Sequence, residues 1–324
     1  MSNAPLENQA ADGDLLPSAI VRSDALVRLY VERARQVIDR NEAARLLCHA
    51  AQVATQRQKD FAQAETLYRR AISYHPASRE ALEGLRALVE ARNDKLALAE
   101  VLEKIAAITV GPESALFFAR AAEHYELLRG QRERAIVCCR HAMQADPTAV
   151  TGYRMLRRML MDDDQLSQAF EVIERERVAV GSSDLQIAYL DIASRSALIP
   201  QLRALTLKAI SRARESDPSH GRIDEIVRDI DGLPTEWRER VKALRARSAE
   251  ERDRRAAARQ LVMISALLAY YDEKEASSLY DVLLRCMTLW PAMPQAIDLI
   301  DRIAIDRGTP AWSDALLLRL SNEV

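Results

Sequence analysis

The sequence contains few glycines, prolines, cysteines and aromatic residues. Of its 324 residues, 9 are glycine, 11 are proline, 4 are cysteine and 5% are aromatic. This scarcity, together with abundant alanine, leucine and arginine, favours an all-helical chain. The sequence also lacks the glycine loops that bind phosphates, the G-x-S-x-G elbow of serine hydrolases and any metal-ligand spacing among its five histidines. We therefore expect no catalytic residues, no metal and no cofactor.

Charge of either sign is almost balanced, with 46 lysines and arginines against 48 aspartates and glutamates. A net charge of −2 gives no general attraction to nucleic acid or to an anionic membrane. The longest nearly apolar run, residues 261–271, has 11 residues, whereas spanning a bilayer takes about 20. Residues 1–20 lack the basic and apolar regions of a secretory signal. We expect a cytoplasmic protein that does not insert into membranes.

The four cysteines lie within helical patterns, on or beside apolar faces. They are Cys48, Cys138, Cys139 and Cys286. None has the C-x-x-C spacing of a metal or redox site. This usage predicts reduced and mostly buried thiols, as in cytosolic proteins.

A helical motif recurs along the chain. Within residues 60–76, Ala64, Tyr68 and Ala71 share one helical face, because steps of four and three residues bring side chains together. Pro76 then forces a turn. The same frame returns as Ala135, Cys139, Ala142 and Pro147, and again as Thr206, Ile210, Ala213 and Pro218. Weaker copies lie between these, so the spacing alternates between 34 and 37 residues, which indicates a stacked helical solenoid.

The motif resembles the tetratricopeptide repeat family. Asp60-Phe61 before Ala64, and Gly130 before Ala135, match that family's turn between helices, although its tryptophan and mid-helix glycine are not reproduced. The resemblance covers roughly residues 41–218 and implies a right-handed solenoid of stacked antiparallel helix pairs. Armadillo-like or other helical-pair repeats are the alternative.

The chain is expected to have four segments. They are a disordered tail (1–22), a capping helix (23–40), five repeats (41–218), and a less regular helical extension with one or two degenerate repeats (219–324). In the extension we expect a helix that ends at residues 231–234, followed by a charged helix from about 235 to 271. Ser248 is a candidate break in that charged helix.

Two local expectations concern turns within the repeats. Gly111-Pro112 is predicted to open a longer loop before the third repeat, which would account for a step of 37 residues. Asp162, Asp163 and Asp164 form a carboxylate cluster at the expected turn of the fourth repeat. We interpret this cluster as a solvated acidic turn rather than as a metal site.

The resemblance also implies a binding surface. In the family, the first helix of each pair lines the concave face, and residues one turn apart on it contact ligands. These positions are His49 and Val53, Glu83 and Ala87, Arg120 and His124, Arg154 and Arg158, and Asp191 and Arg195. The candidate partner-binding residues are therefore Arg120, His124, Arg154, Arg158 and Arg195. Because guanidinium groups suit carboxylates, the resemblance implies a non-catalytic scaffold that holds an acidic segment of a partner protein. A solvated arginine-rich surface is the alternative.

Two further hypotheses arise from the extension. Residues 235–259 hold nine basic and five acidic residues but one aromatic, Trp237. This composition favours a solvated helix with internal ion pairs over a nucleic-acid-associated regulatory protein, which remains an alternative. Leucines that face several directions at residues 315–320 predict self-association, or an accessory domain of a larger multidomain protein.

Overall fold

The computed structural model describes residues 17–181, 185–272, 276–291 and 293–306, and these residues form helices and turns without a strand. The helices are α1 Pro17–Gln36, α2 Arg40–Val53, α3 Phe61–Tyr74, α4 Arg79–Ala91, α5 Lys95–Ile108, α6 Gly111–Glu126, α7 Arg132–Ala145, α8 Val150–Asp162, α9 Leu166–Val180, α10 Gln186–Ser196, α11 Arg203–Ser216, α12 Gly221–Glu250, α13 Arg254–Tyr271, α14 Ala276–Leu289 and α15 Pro294–Asp306.

The chain forms two compact units, Met1–Ala149 and Val150–Val324. In the first unit α1 to α7 pack each on the next, and in the second unit α8 to α15 do the same. Each of the five predicted repeats contains one pair of helices, from α2/α3 to α10/α11. The predicted fold class, an all-α arrangement of stacked helix pairs, is confirmed.

The recurring frame faces inward, as predicted. Ala64, Tyr68 and Ala71 of α3 are buried, and so are the equivalent residues of α7 and α11. The Tyr68 ring lies directly against Gly84 of α4, where a Cβ atom would lie 2.7 Å from Tyr68 Oη. Glycine therefore permits the close contact between two successive repeats.

Side-chain caps define where several of the helices begin, including α3 and α5. Asp60 accepts a hydrogen bond from the Gln63 amide at 2.9 Å, which caps α3. Asp94 does the same for α5, accepting from the Ala97 amide at 3.1 Å. Such caps satisfy amide groups that the first helical turn leaves without an acceptor. The predicted inter-helix turn at Asp60 is therefore present, and a similar turn at Asp94 precedes α5.

Contacts between successive repeats recur with the period of the sequence. In the part of the chain that the structure describes, hydrogen bonds join pairs of residues 34 positions apart: Asp24 with Gln58, Arg79 with Glu113, Glu100 with Arg134, Met161 with Arg195, and Arg254 with Thr288. The last pair lies in α13 and α14, beyond the five recognisable repeats. The spacing of one repeat thus recurs in the contacts of both units.

A buried tyrosine, a glutamate and an arginine meet twice, once in each unit. Tyr125 of α6 donates to Glu103 of α5 at 2.9 Å, and Arg134 of α7 donates to the same carboxylate at 3.1 Å. In the second unit, Glu174 of α9, 71 residues after Glu103, accepts from a tyrosine and an arginine in the same way. Those donors are Tyr189 at 2.5 Å and Arg212 at 3.1 Å.

The prediction of a longer loop at Gly111-Pro112 is wrong. Helix α6 begins at Gly111, and only Thr109 and Val110 separate it from α5. The additional residues of the 37-residue step extend α6, which has 16 residues where α4 has 13. Proline is compatible with this position because the first turn of a helix does not need its N–H.

The prediction that a helix ends at residues 231–234 is also wrong. Helix α12 runs for 30 residues through Pro234. The break comes at residues 251–253 instead of Ser248, and Asp253 then caps α13 by accepting from the Arg255 amide at 2.9 Å. Packing of the buried residues Ile230, Leu233 and Trp237 on both sides of the proline explains why the helix continues.

Three predictions concern the ends and the thiols. Helix α1 begins at Pro17, within the segment expected to be a tail, while residues 1–16 lie outside the described residues. The leucines at 315–320, on which the expectation of self-association depends, also lie outside them. All four cysteines are free and buried, as predicted. Burial raises the pKa of the Cys48, Cys138 and Cys286 thiols to about 12.

Candidate functional site

Helix α8 presents two of the predicted site residues on one exposed face. Its opposite face buries Tyr153, Leu156 and Leu160. Arg154 and Arg158, one turn apart, are both exposed. The two positions of α8 that the family resemblance implies as ligand contacts are therefore exposed to solvent.

A third arginine of α8 has a different role. Arg157 donates to Glu176 of α9 at 2.7 Å, and the Glu176 side chain is only 2% exposed. Burial raises the pKa of Glu176, whereas the charges of Arg157 and Arg154 oppose that rise. Arg154 therefore interacts electrostatically with a carboxylate of its own unit as well as facing solvent.

The structure places Arg195 against the turn between α8 and α9. Its Nη1 atom donates to the Met161 carbonyl at 2.6 Å and lies 3.3 Å from Asp164 Oδ1. The side chain remains 37% exposed. Because only Nη1 takes part in these bonds, the other guanidinium nitrogens have no acceptor within the described residues.

The interpretation of residues 162–164 as a solvated turn is wrong for Asp164. This residue forms the turn in a left-handed conformation, with φ of 53°, but its side chain is 3% exposed. Its second carboxylate oxygen accepts from Arg259 Nε, and Arg259 Nη2 donates to the Asp162 carbonyl at 3.0 Å. The partner, 95 residues away on α13, could not be anticipated from local sequence.

An aromatic ring supports this group of charges. The guanidinium groups of Arg255 and Arg259 lie over the Trp290 ring, at 4.7 and 5.7 Å from its centroid. Arg255 also approaches Asp163, at 4.0 Å. Cation–π contacts of this kind hold the two arginines towards the turn. This cluster is not predicted by the periodicity of the sequence; the arginine pair four residues apart on α13 is a local signal for it.

In the first unit, α6 carries the other two predicted site residues. Arg120 lies 3.7 Å from Glu90 of α4, so part of its charge is balanced within the unit. The Nδ1 atom of His124 is buried and has no hydrogen-bond partner within the described residues. Burial lowers the pKa of His124, and the charge of Arg120 acts in the same direction. His124 is therefore protonated less readily than an ordinary histidine and adds little positive charge.

The charged helix α12 is largely balanced by its own acidic residues. Arg240 pairs with Asp229 at 2.7 Å and with Glu236 at 3.6 Å. Trp237 is buried and stacks on Tyr271, with ring centroids 5.9 Å apart. The aromatic side chain that would stack on a base is thus part of the core. This arrangement agrees with a solvated helix that has internal ion pairs.

Neither a metal site nor a membrane-spanning helix is found among the described residues. No group of three or more histidine, cysteine, aspartate or glutamate side chains is placed there to hold a metal ion. None of the described helices combines the length and the hydropathy needed to cross a bilayer.

Comparisons with known proteins give distant likenesses among solved structures. No family model matches the chain, and no curated protein matches it. Among solved structures, the chain is similar to YrrB, described as a TPR protein with an unusual peptide-binding site. The two share 12% sequence identity and a TM-score of 0.33, over 61% of this chain and 96% of that one. A likeness this distant carries no argument about function.

Proposed function

We propose that this protein is a non-catalytic scaffold of the tetratricopeptide-repeat kind. It holds an acidic segment of a partner protein on the concave face, which is formed by the first helix of each helix pair. The observation that carries the proposal is the exposed face of α8, where Arg154 and Arg158 stand one turn apart. Two guanidinium groups at this spacing suit successive carboxylates of an acidic segment. Several such contacts add affinity that one exposed ion pair does not supply.

The remaining predicted residues have secondary roles in this proposal. Arg195 is held in place by Met161 and Asp164 and keeps guanidinium nitrogens for a partner. Arg120 offers a second cation, on α6 of the first unit, once a partner carboxylate competes with Glu90. His124 adds little positive charge. The basic character of the surface thus depends on the arginines, above all on Arg154 and Arg158.

The proposal extends to organisation and location. We assign residues 41–218 to five repeats of this family, preceded by a capping helix and followed by an extension with degenerate repeats. The hydrogen bond from Arg254 to the Thr288 carbonyl, 34 residues away, supports a repeat within that extension. Four free and buried thiols support a reducing, cytoplasmic environment.

Charge reversal of α8 tests the proposed function. Arg154→Glu combined with Arg158→Glu should abolish capture of the partners that the unaltered protein retains from the source cell, as identified by mass spectrometry. The matched control is Arg175→Glu with Arg214→Glu, which makes the same change of net charge at exposed positions of the second helices α9 and α11. Circular dichroism should show equal helix content in all three proteins.

The outcomes separate the two interpretations of these arginines. Loss of capture in the α8 variant alone supports a binding surface. Unchanged capture in that variant, or equal loss in the control, means that the arginines only keep the surface solvated.

A further inference from the structure

The second unit contains a half-open cavity that the proposed partner surface does not use. Its volume is about 120 Å³, and it lies between the first turn of α9, the short 3₁₀ turn Pro200–Leu202, α13 and α15. An engineered cavity of ~150 Å³ admits benzene. The space therefore suits a short aliphatic side chain, with the remainder of the ligand at the mouth.

The inner wall of the cavity is aliphatic. It is formed by Leu166, Ile199, Leu202, Val262 and Leu299. Small-molecule sites combine such apolar walls with a few polar groups that fix orientation. An aliphatic ligand group placed here leaves water without losing a hydrogen bond.

Opposite charges stand at the mouth of the cavity. Asp298 and Arg302 line it from α15, one helical turn apart, and both are exposed. This order of charges at i and i+4 favours an ion pair on a helix. Neither side chain takes part in an ion pair within the described part of the chain. A ligand that carries both charges would satisfy the two of them at once.

A neutral amide in the wall is only weakly held. Gln201 Nε2 donates to the Ala266 carbonyl at 3.5 Å, the limit of a hydrogen bond, and its Oε1 atom is buried without a donor in the described residues. A buried acceptor without a donor is unfavourable. Rotation of this amide towards the cavity would let Oε1 accept from a ligand N–H.

We propose that this cavity binds a free α-amino acid with an aliphatic side chain, such as leucine. The carboxylate accepts hydrogen bonds from Arg302, and the ammonium group donates to Asp298 and to Gln201 Oε1. The side chain occupies the aliphatic wall. This site is independent of the arginines of α8.

Calorimetric titration of the full chain with three compounds tests the proposal. Leucine carries both charges, 4-methylpentanoate lacks the ammonium group and 3-methylbutylamine lacks the carboxylate. Leucine should bind about tenfold more tightly than either analogue, the scale of one charge-assisted hydrogen bond. Absence of binding heat with leucine, or equal affinity for all three compounds, would overturn the proposal.

Two variants assign the charges to their partners. Arg302→Met should remove the preference for leucine over 3-methylbutylamine. Asp298→Asn should weaken the preference for leucine over 4-methylpentanoate, because Gln201 Oε1 still accepts from the ammonium group. The matched control is Asp301→Asn, a charge change on α15 at an exposed residue outside the cavity lining. It should retain both preferences; an equal loss in the control would refute the assignment.

Discussion

Individual residues of this protein differ widely in what their charges contribute. Several of the described ion pairs are exposed on both sides, and such pairs contribute about 0–1 kcal/mol each. Glu176 and Asp164 are exceptions, since their carboxylates are nearly inaccessible and each meets an arginine from another helix. Removing one partner of a buried pair costs roughly 3–5 kcal/mol. Arg157, Arg195 and Arg259 thus stabilise the second unit as well as giving it charge.

The contact between Tyr68 and Gly84 gives a prediction at the residue scale. Alanine in place of a helical glycine usually stabilises by about 1 kcal/mol. At Gly84 the added methyl group would overlap the buried Tyr68 ring. Gly84→Ala should therefore destabilise the protein by about 2 kcal/mol, as measured by urea denaturation.

Gly232→Ala is the matched control for this substitution. At that position the nearest atom to a new Cβ is the flexible Glu236 carboxylate, at 3.0 Å. This variant should be unchanged or slightly more stable. A stabilising Gly84→Ala would show that Tyr68 does not pack on α4 as described.

The carboxylate of Glu174 predicts a pH dependence. Burial raises its pKa, but hydrogen bonds from Tyr189 and Arg177 and the charge of Arg212 outweigh burial, so the pKa lies below the usual 4.5. A carboxyl group with a depressed folded-state pKa stabilises the protein above its ordinary pKa, and that contribution is lost as pH falls through the folded-state value. Glu174→Gln should therefore cost about 1–2 kcal/mol at pH 7 and progressively less below about pH 4.5.

Urea denaturation across this pH range measures the effect. Glu171→Gln, at an exposed residue of the same helix, is the control and should cost little at any pH. A loss in Glu174→Gln that stays constant from pH 7 to pH 3 would contradict the assignment of the lowered pKa.

At the scale of the helix, the apolar periodicity predicted which faces are buried, but not where every helix begins and ends. Ala64, Tyr68 and Ala71 were predicted correctly because steps of three and four residues encode a face directly. Gly111 and Pro234 were misinterpreted as interruptions. Gly111 and Pro112 lie in the first turn of α6, where a helix tolerates them, and packing on both sides of Pro234 maintains α12.

Pro234 gives a prediction at this scale. Within α12 it removes one intrahelical hydrogen bond, the one that would be accepted by the Ile230 carbonyl. Because Pro234 is exposed, Pro234→Ala restores the bond without loss of packing. We expect stabilisation by roughly 1–3 kcal/mol in urea denaturation.

The reciprocal change provides the control. Ala243→Pro, at another exposed position of α12, should lower helix content in circular dichroism and destabilise by about 3 kcal/mol. If Pro234→Ala leaves stability unchanged or lowers it, α12 does not continue through the proline.

At the scale of the whole molecule, the period of the sequence reappears as contacts between residues 34 positions apart. A chain stabilised by neighbouring repeats is well predicted from periodicity, because each contact repeats the one before it. The cluster around Asp164 was not predictable in this way, since Arg259 comes from 95 residues later. The same holds for the cavity beside α15, whose walls come from four separate elements.

Hydrogen–deuterium exchange with the captured acidic segment tests the central claim most directly. If the first helix of each pair forms the partner surface, the bound segment should increase amide protection in α8 and α10. Protection in α9, α11 and α12 should stay unchanged. Protection confined to those helices, with α8 unaffected, would contradict the account.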